Sequence, residues 1–108
     1  MSWTVETLNA AVDAEVLALP ADMRAQLSRI SLMIREFDLE RMREPHVKHL
    51  QGLIWEMRMR GRDGISRALY VTAVGRRVII VLVFVKKTQK TPSREIDLAL
   101  SRSKEIGR

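Results

Sequence analysis

The chain has no cysteine among its 108 residues. Disulfides, iron–sulfur clusters, zinc–thiolate sites and thiol nucleophiles are thereby excluded. The composition fits a reducing compartment, so a cytoplasmic location is expected. Long apolar runs are missing too. The longest, Val78 to Val85, spans eight residues, against the ~20 that a membrane-crossing helix needs. The first residues carry Glu6 and no early lysine or arginine, which does not read as a signal peptide. There is no glycine-rich phosphate loop and no Gly-x-Ser-x-Gly elbow. Repeats and low-complexity stretches are absent as well. At this length one domain over residues 1–108 is expected. Its core would be two layers thick, with no room for a large composite active site.

What the chain does have is positive charge in one half. Residues 1–50 hold six basic and eight acidic side chains, whereas residues 51–108 hold thirteen and five. Between 58 and 90 there are nine basic residues and a single acid, Asp63. A one-sided field of this kind attracts polyanions. Nucleic acid is the first reading, an acidic protein the second, and a solvated face the plain alternative.

Hydrophobic period divides the chain at the same place. Leu8, Val12, Val16 and Leu19 recur at helical spacing, which predicts a helix from about Glu6 to Leu17, with Ser2 to Val5 a short strand before it. Pro20 suits the first turn of a second helix, and Met23, Leu27, Ile30, Ile34 and Phe37 form its apolar stripe. Arg41 to Gly52 reads as a loop, because Pro45 stops any helix. From Leu53 the period becomes two. Leu53, Trp55, Met57 and Met59 point one way, and Ile54, Glu56, Arg58 and Arg60 the other. Asp63-Gly64 signals a hairpin, Ile65 to Val74 a second strand, and Val78 to Val85 a buried central strand. Thr91 and Pro92 are placed to cap and begin a last helix with Ile96, Ala99, Leu100 and Ile106 on its apolar face. The expected class is α+β: two N-terminal helices and a C-terminal helix packed on a small antiparallel sheet.

Six basic residues fall at strand positions or strand ends: Arg58, Arg60, Arg67, Lys86, Lys87 and Lys90. An antiparallel sheet could gather them on one edge, where guanidinium forks match phosphate oxygens. Arg67 stands out because it interrupts an apolar strand, and burying its stem needs a reason. His46 and His49 lack a helix to hold them and a third ligand, so neither metal binding nor any other role is expected of them. Asp38 with Glu40 or Glu44 reads as a surface loop, and Met57 and Met59 as core.

The ordered series Glu44-Pro45-His46-Val47-Lys48, Trp55-Glu56-Met57-Arg58, Arg67-Ala68-Leu69-Tyr70 and Phe84-Val85-Lys86-Lys87-Thr88-Gln89-Lys90-Thr91-Pro92 resembles the RelE/HigB group of bacterial toxins, in its phage-derived HigB-like branch. The resemblance covers about residues 20–106. It implies a ribosome-dependent mRNA interferase, neutralised by an adjacently encoded antitoxin, often a small helix-turn-helix protein. The chemistry implied is attack of a ribose 2′-hydroxyl on the neighbouring phosphate, with no cofactor and no metal. The resemblance assigns catalysis to Arg67, Arg60, Lys87 and Glu44. Arg67 would stabilise the phosphate, Lys87 act as acid and Glu44 as base. It assigns RNA contacts to Arg58, Lys48, Lys86, Lys90 and Tyr70. Several relatives carry a His or Tyr near the end of the last strand, where this chain offers Lys, Thr and Gln. Two other readings belong to the same superfamily: a ParE-type poison of DNA gyrase, and a degenerate toxin that only binds its antitoxin.

Overall fold

The structure is a computed structural model and describes residues 2–86 and 90–106. In chain order it contains β1 (Thr4–Thr7), α1 (Ala10–Leu17), α2 (Ala21–Phe37), a 3-10 turn (Leu39–Arg41), β2 (Val47–Gln51), β3 (Ile54–Gly61), β4 (Gly64–Ala73), β5 (Arg77–Lys86) and α3 (Ser93–Ser103). The class is α+β, as expected. The sheet is larger than expected and is mixed: its five strands run β1-β5-β4-β3-β2, with β1 parallel to β5.

Two local competitions explain the N-terminal differences. Glu6 and Thr7 pair with Ile79 and Ile80 and so belong to β1. The first helix therefore starts late, where the Asn9 side chain accepts the Val12 N–H at 3.1 Å. The expected loop at 41–52 contains β2, because Val47, Lys48 and His49 pair with Met57, Glu56 and Trp55. The hairpin turn sits one residue earlier than its Asp-Gly signal. Gly61 pairs with Gly64, which leaves Arg62 and Asp63 to turn the chain.

The sheet separates two apolar layers. Val12, Met23, Leu27, Ile30 and Ile34 pack with Met57, Met59, Ala68, Tyr70, Val78 and Ile80 on one face. Ile54, Leu69, Val71, Ile79, Val81 and Leu82 pack around Ala99 of α3 on the other. Residues Val78 to Val83 are buried because both faces of β5 are covered, although β4 is the middle strand. Phe37, the last residue of α2, ends up exposed.

Two side-chain clamps finish the frame. Asp22 of α2 accepts the Arg62 N–H at 2.6 Å, and a Cβ on Gly61 would come within 2.7 Å of that carboxylate. Glycine is therefore needed where the hairpin meets α2. Past the end of β1, the outer edge of β5 is closed by side chains: Glu15 accepts the Val83 N–H at 3.0 Å and Arg102 donates to the Val81 carbonyl at 2.9 Å.

Candidate nucleic-acid interface and active site

On the α3 face, the apolar cluster under Ala99 ends before the sheet does. Beyond it, register alone aligns a row of side chains. The Arg58 N–H donates to the His46 carbonyl at 2.9 Å, Arg58 pairs with Arg67, and Arg67 pairs with Phe84. The flanking rows are Lys48 with Glu56, and Arg60 with Ile65 and Lys86. Same-face neighbours across strands lie ~5 Å apart. The structure thus brings Arg58, Arg60, Arg67, Lys48 and Lys86 together on one face. Two anions, Glu56 and Glu44, stand among them.

Glu56 organises this cluster, and sequence reasoning missed it. Alternation placed it beside Arg58 and Arg60, yet gave no sign that it would be buried. It is 1% exposed. The Arg58 Nε–H donates to its Oε2 at 3.0 Å and the Thr91 hydroxyl donates to its Oε1 at 2.8 Å. Arg67 Nε lies 3.3 Å from the same Oε1, close enough for an ion pair, although its N–H is not aligned on an acceptor. Thr91 was expected to cap α3. Its hydroxyl is used on Glu56 instead, and Pro92 takes the cap position.

Burial shifts the two innermost cations. It pushes the Arg67 guanidinium down from its ordinary value. Glu56 opposes that shift, and Arg58 and Arg60 add to it. The Lys86 ammonium is also held down, by burial first and then by Arg67, with Glu56 opposing. A crowd of cations around one carboxylate raises the local potential without lining up donors for one another.

Other sequence-assigned residues are placed differently. Glu44 is largely exposed and lies 3.7 Å from Arg58 Nη1. Lys90 is exposed on the chain that leads into Thr91. Lys87 lies outside the described residues. Tyr70 does not join the cluster. It points to the face covered by α1 and α2, is 1% exposed, and burial pushes its phenol up from the ordinary value. The reason is the two-residue period: Tyr70 and Arg67 are three apart and so face opposite ways.

The same parity separates the two histidines. His49 lies on the Trp55 side, its ring 4.9 Å from the indole and its Nε2 2.7 Å from the Gly52 carbonyl. His46, which the sequence left without a role, enters the arginine row. The loop before it is well tied. Arg43 Nη1 donates to the carbonyls of Glu40 and Met42 at 2.7 and 3.0 Å, and the His46 N–H donates to the Arg43 carbonyl at 3.0 Å. The Glu44–Pro45 peptide is cis. A groove of about 220 Å³ opens here, lined by Arg58, Arg60, Arg67, His46, Gln26, Pro45 and Ile65. A larger groove of about 360 Å³ lies on the helix face between Trp3, Met42, Trp55 and Tyr70. Its lining is mainly apolar, so the smaller groove is where charge could meet a phosphate.

The profile of one family, described as Phage derived protein Gp49-like (DUF891), matches residues 14–104. The chain belongs to that family. The family is associated with toxins of type II toxin–antitoxin systems, of RelE/HigB-like kind. No curated protein matches the chain. The family match covers the second half of α1, all of α2, β2 to β5 and α3, and hence every residue of the basic face.

Proposed function

We propose that this Gp49-like chain is the toxin of a type II toxin–antitoxin pair and acts as a ribosome-dependent mRNA endoribonuclease. The observation that carries the reading is the row of Arg58 and Arg67 held by the buried Glu56 at the floor of an open cationic groove. Such a floor suits a phosphate that becomes a doubly charged phosphorane. Donors fixed in advance need no reorganisation as charge develops. In this reading Arg67 and Arg58 meet the equatorial oxygens, and Arg60, Lys48, Lys86 and Lys90 hold neighbouring phosphates. The 2′-oxygen bonds to phosphorus, the bond to the 5′-oxygen breaks, and the products are a 2′,3′-cyclic phosphate and a 5′-hydroxyl. Alignment of the message by the ribosome supplies what so small a site lacks, and alignment alone is worth several kcal/mol. The partner expected to restrain it is a small helix-turn-helix protein encoded next to it.

The test is direct. Purified chain added to ribosomes translating a defined message should yield fragments ending in a 2′,3′-cyclic phosphate, and the free message should stay whole. Expression alone should arrest growth, and co-expression of the neighbouring frame should restore it. Intact messages together with gyrase trapped on plasmid DNA would replace this reading with the ParE-type one. A harmless chain that still binds its neighbour would leave only the antitoxin-binding role.

A further inference from the structure

Among the described residues, one side chain lining the groove beside Arg67 is able to take a proton and give it back. Arginines remain protonated in proteins, so Arg58, Arg60 and Arg67 cannot serve as base. Glu56 is buried and committed to Arg58, Arg67 and Thr91. Glu44 is largely exposed and does not line the groove. His46 does line it. It stands opposite Arg58 in the row that continues to Arg67, and its backbone is fixed at both ends by hydrogen bonds to Arg43 and Arg58. On its other side it borders a second groove with Arg41, Arg43 and Glu44. An imidazole exchanges protons near neutral pH more readily than any other ordinary side chain.

We infer that His46 is the proton acceptor for the attacking 2′-hydroxyl. This rests on the endoribonuclease reading above. In the step, the 2′-O–H bond breaks and its proton passes to a ring nitrogen of His46. The 2′-oxygen bonds to phosphorus and the bond from phosphorus to the 5′-oxygen breaks. Water in the open groove protonates the departing 5′-oxygen, and the imidazolium returns its proton to the hydroxide left behind. No net proton is gained or lost.

The experiment compares wild type, His46→Ala, His46→Gln and Glu44→Gln in single-turnover cutting of ribosome-bound message. His46→Ala and His46→Gln should cut at least about 100-fold more slowly, with antitoxin binding unchanged as the control for folding. Added imidazole should restore part of the His46→Ala rate. A message with sulfur bridging at the scissile 5′ position has a leaving group that needs no proton, so it should leave both His46 variants slow. Wild-type cutting by His46→Gln overturns the inference. So does recovery on the sulfur substrate, which would make His46 the acid, or loss of cutting in Glu44→Gln alone. If His46→Ala fails to bind antitoxin, His46→Gln carries the comparison. A wild-type chain that cuts nothing overturns the endoribonuclease reading itself, which is a different result from an active wild type beside an unimpaired variant.

Discussion

Glu56 and Arg67 form an ion pair at 3.3 Å with side chains only 1% and 6% exposed. Each is the reason the other can be buried. Removing one partner strands a charge away from water, at a cost of roughly 3–5 kcal/mol. Glu56→Ala should therefore lower the unfolding free energy by about that amount, read from the urea midpoint. Pairing Glu56→Gln with Arg67→Met should recover most of the loss, because the buried Arg67 charge goes with its partner and the partly exposed Arg58 keeps Glu44. A Glu56→Ala chain as stable as wild type would mean that water reaches the pair.

The same pairing changes what Arg67→Ala reports. The resemblance gives the Arg67 position a role toward the phosphate alone. In the structure, emptying it takes a buried counter-charge away from Glu56, so stability should fall together with activity. Arg67→Lys is the cleaner probe. It keeps a cation near Glu56 but loses the fork, and cutting should drop by about 100-fold, or ~3 kcal/mol of transition-state stabilisation. Full cutting by Arg67→Lys would remove Arg67 from the phosphate site.

Lys86 carries a pH prediction. Its ammonium is held below the ordinary lysine value by burial and by Arg67. The folded chain therefore loses this charge at a lower pH than the unfolded chain does. Between the two values the unfolded state binds more protons, so the Lys86 contribution to stability rises with pH in that alkaline window. Phosphate affinity runs the other way and falls as the charge is lost. RNA binding followed by anisotropy should weaken at alkaline pH in wild type and hold further in Lys86→Arg. Superimposable profiles would show that Lys86 meets no phosphate.

At the far edge of the sheet, Glu15 and Arg102 close β5 where β1 runs out. Their side chains meet at 2.9 Å and each also takes a backbone group of β5. Arg102→Ala leaves the Val81 carbonyl and Glu15 without this partner and should cost about 1–3 kcal/mol. Amide exchange at Val83 should accelerate with it, and the cutting rate of the remaining folded chain should stay the same. A stability loss below measurement would show that water replaces the clamp.

Much of the frame was legible because periodicity is local. The stripe from Met23 to Ile34, the alternation through Met57 and Met59, and the doubly apolar run at Val78 each state which face is buried. Arg67 was legible as an anomaly, a charge inside an apolar strand. β2 was not, since Val47, Lys48 and His49 have no pattern of their own and become a strand only by pairing with β3. Thr91 followed the rule for a helix cap until a buried carboxylate 35 residues away offered its hydroxyl a better partner.

The sequence by itself determined the class, the division into a helical half and a strand half, the cationic character of the second half, and the resemblance that placed the chain near bacterial toxins. Those properties are sums or short-range repeats, and they survive without knowing which strand lies beside which. The tertiary structure alone decided which charges share a floor. Strand register put His46, Arg58 and Arg67 in one row and turned Tyr70 to the other side. Burial made Glu56 the counter-charge that holds the row in place. Both depend on pairing between residues far apart in the chain, and a one-residue slip in that pairing would send every one of these side chains to the opposite face.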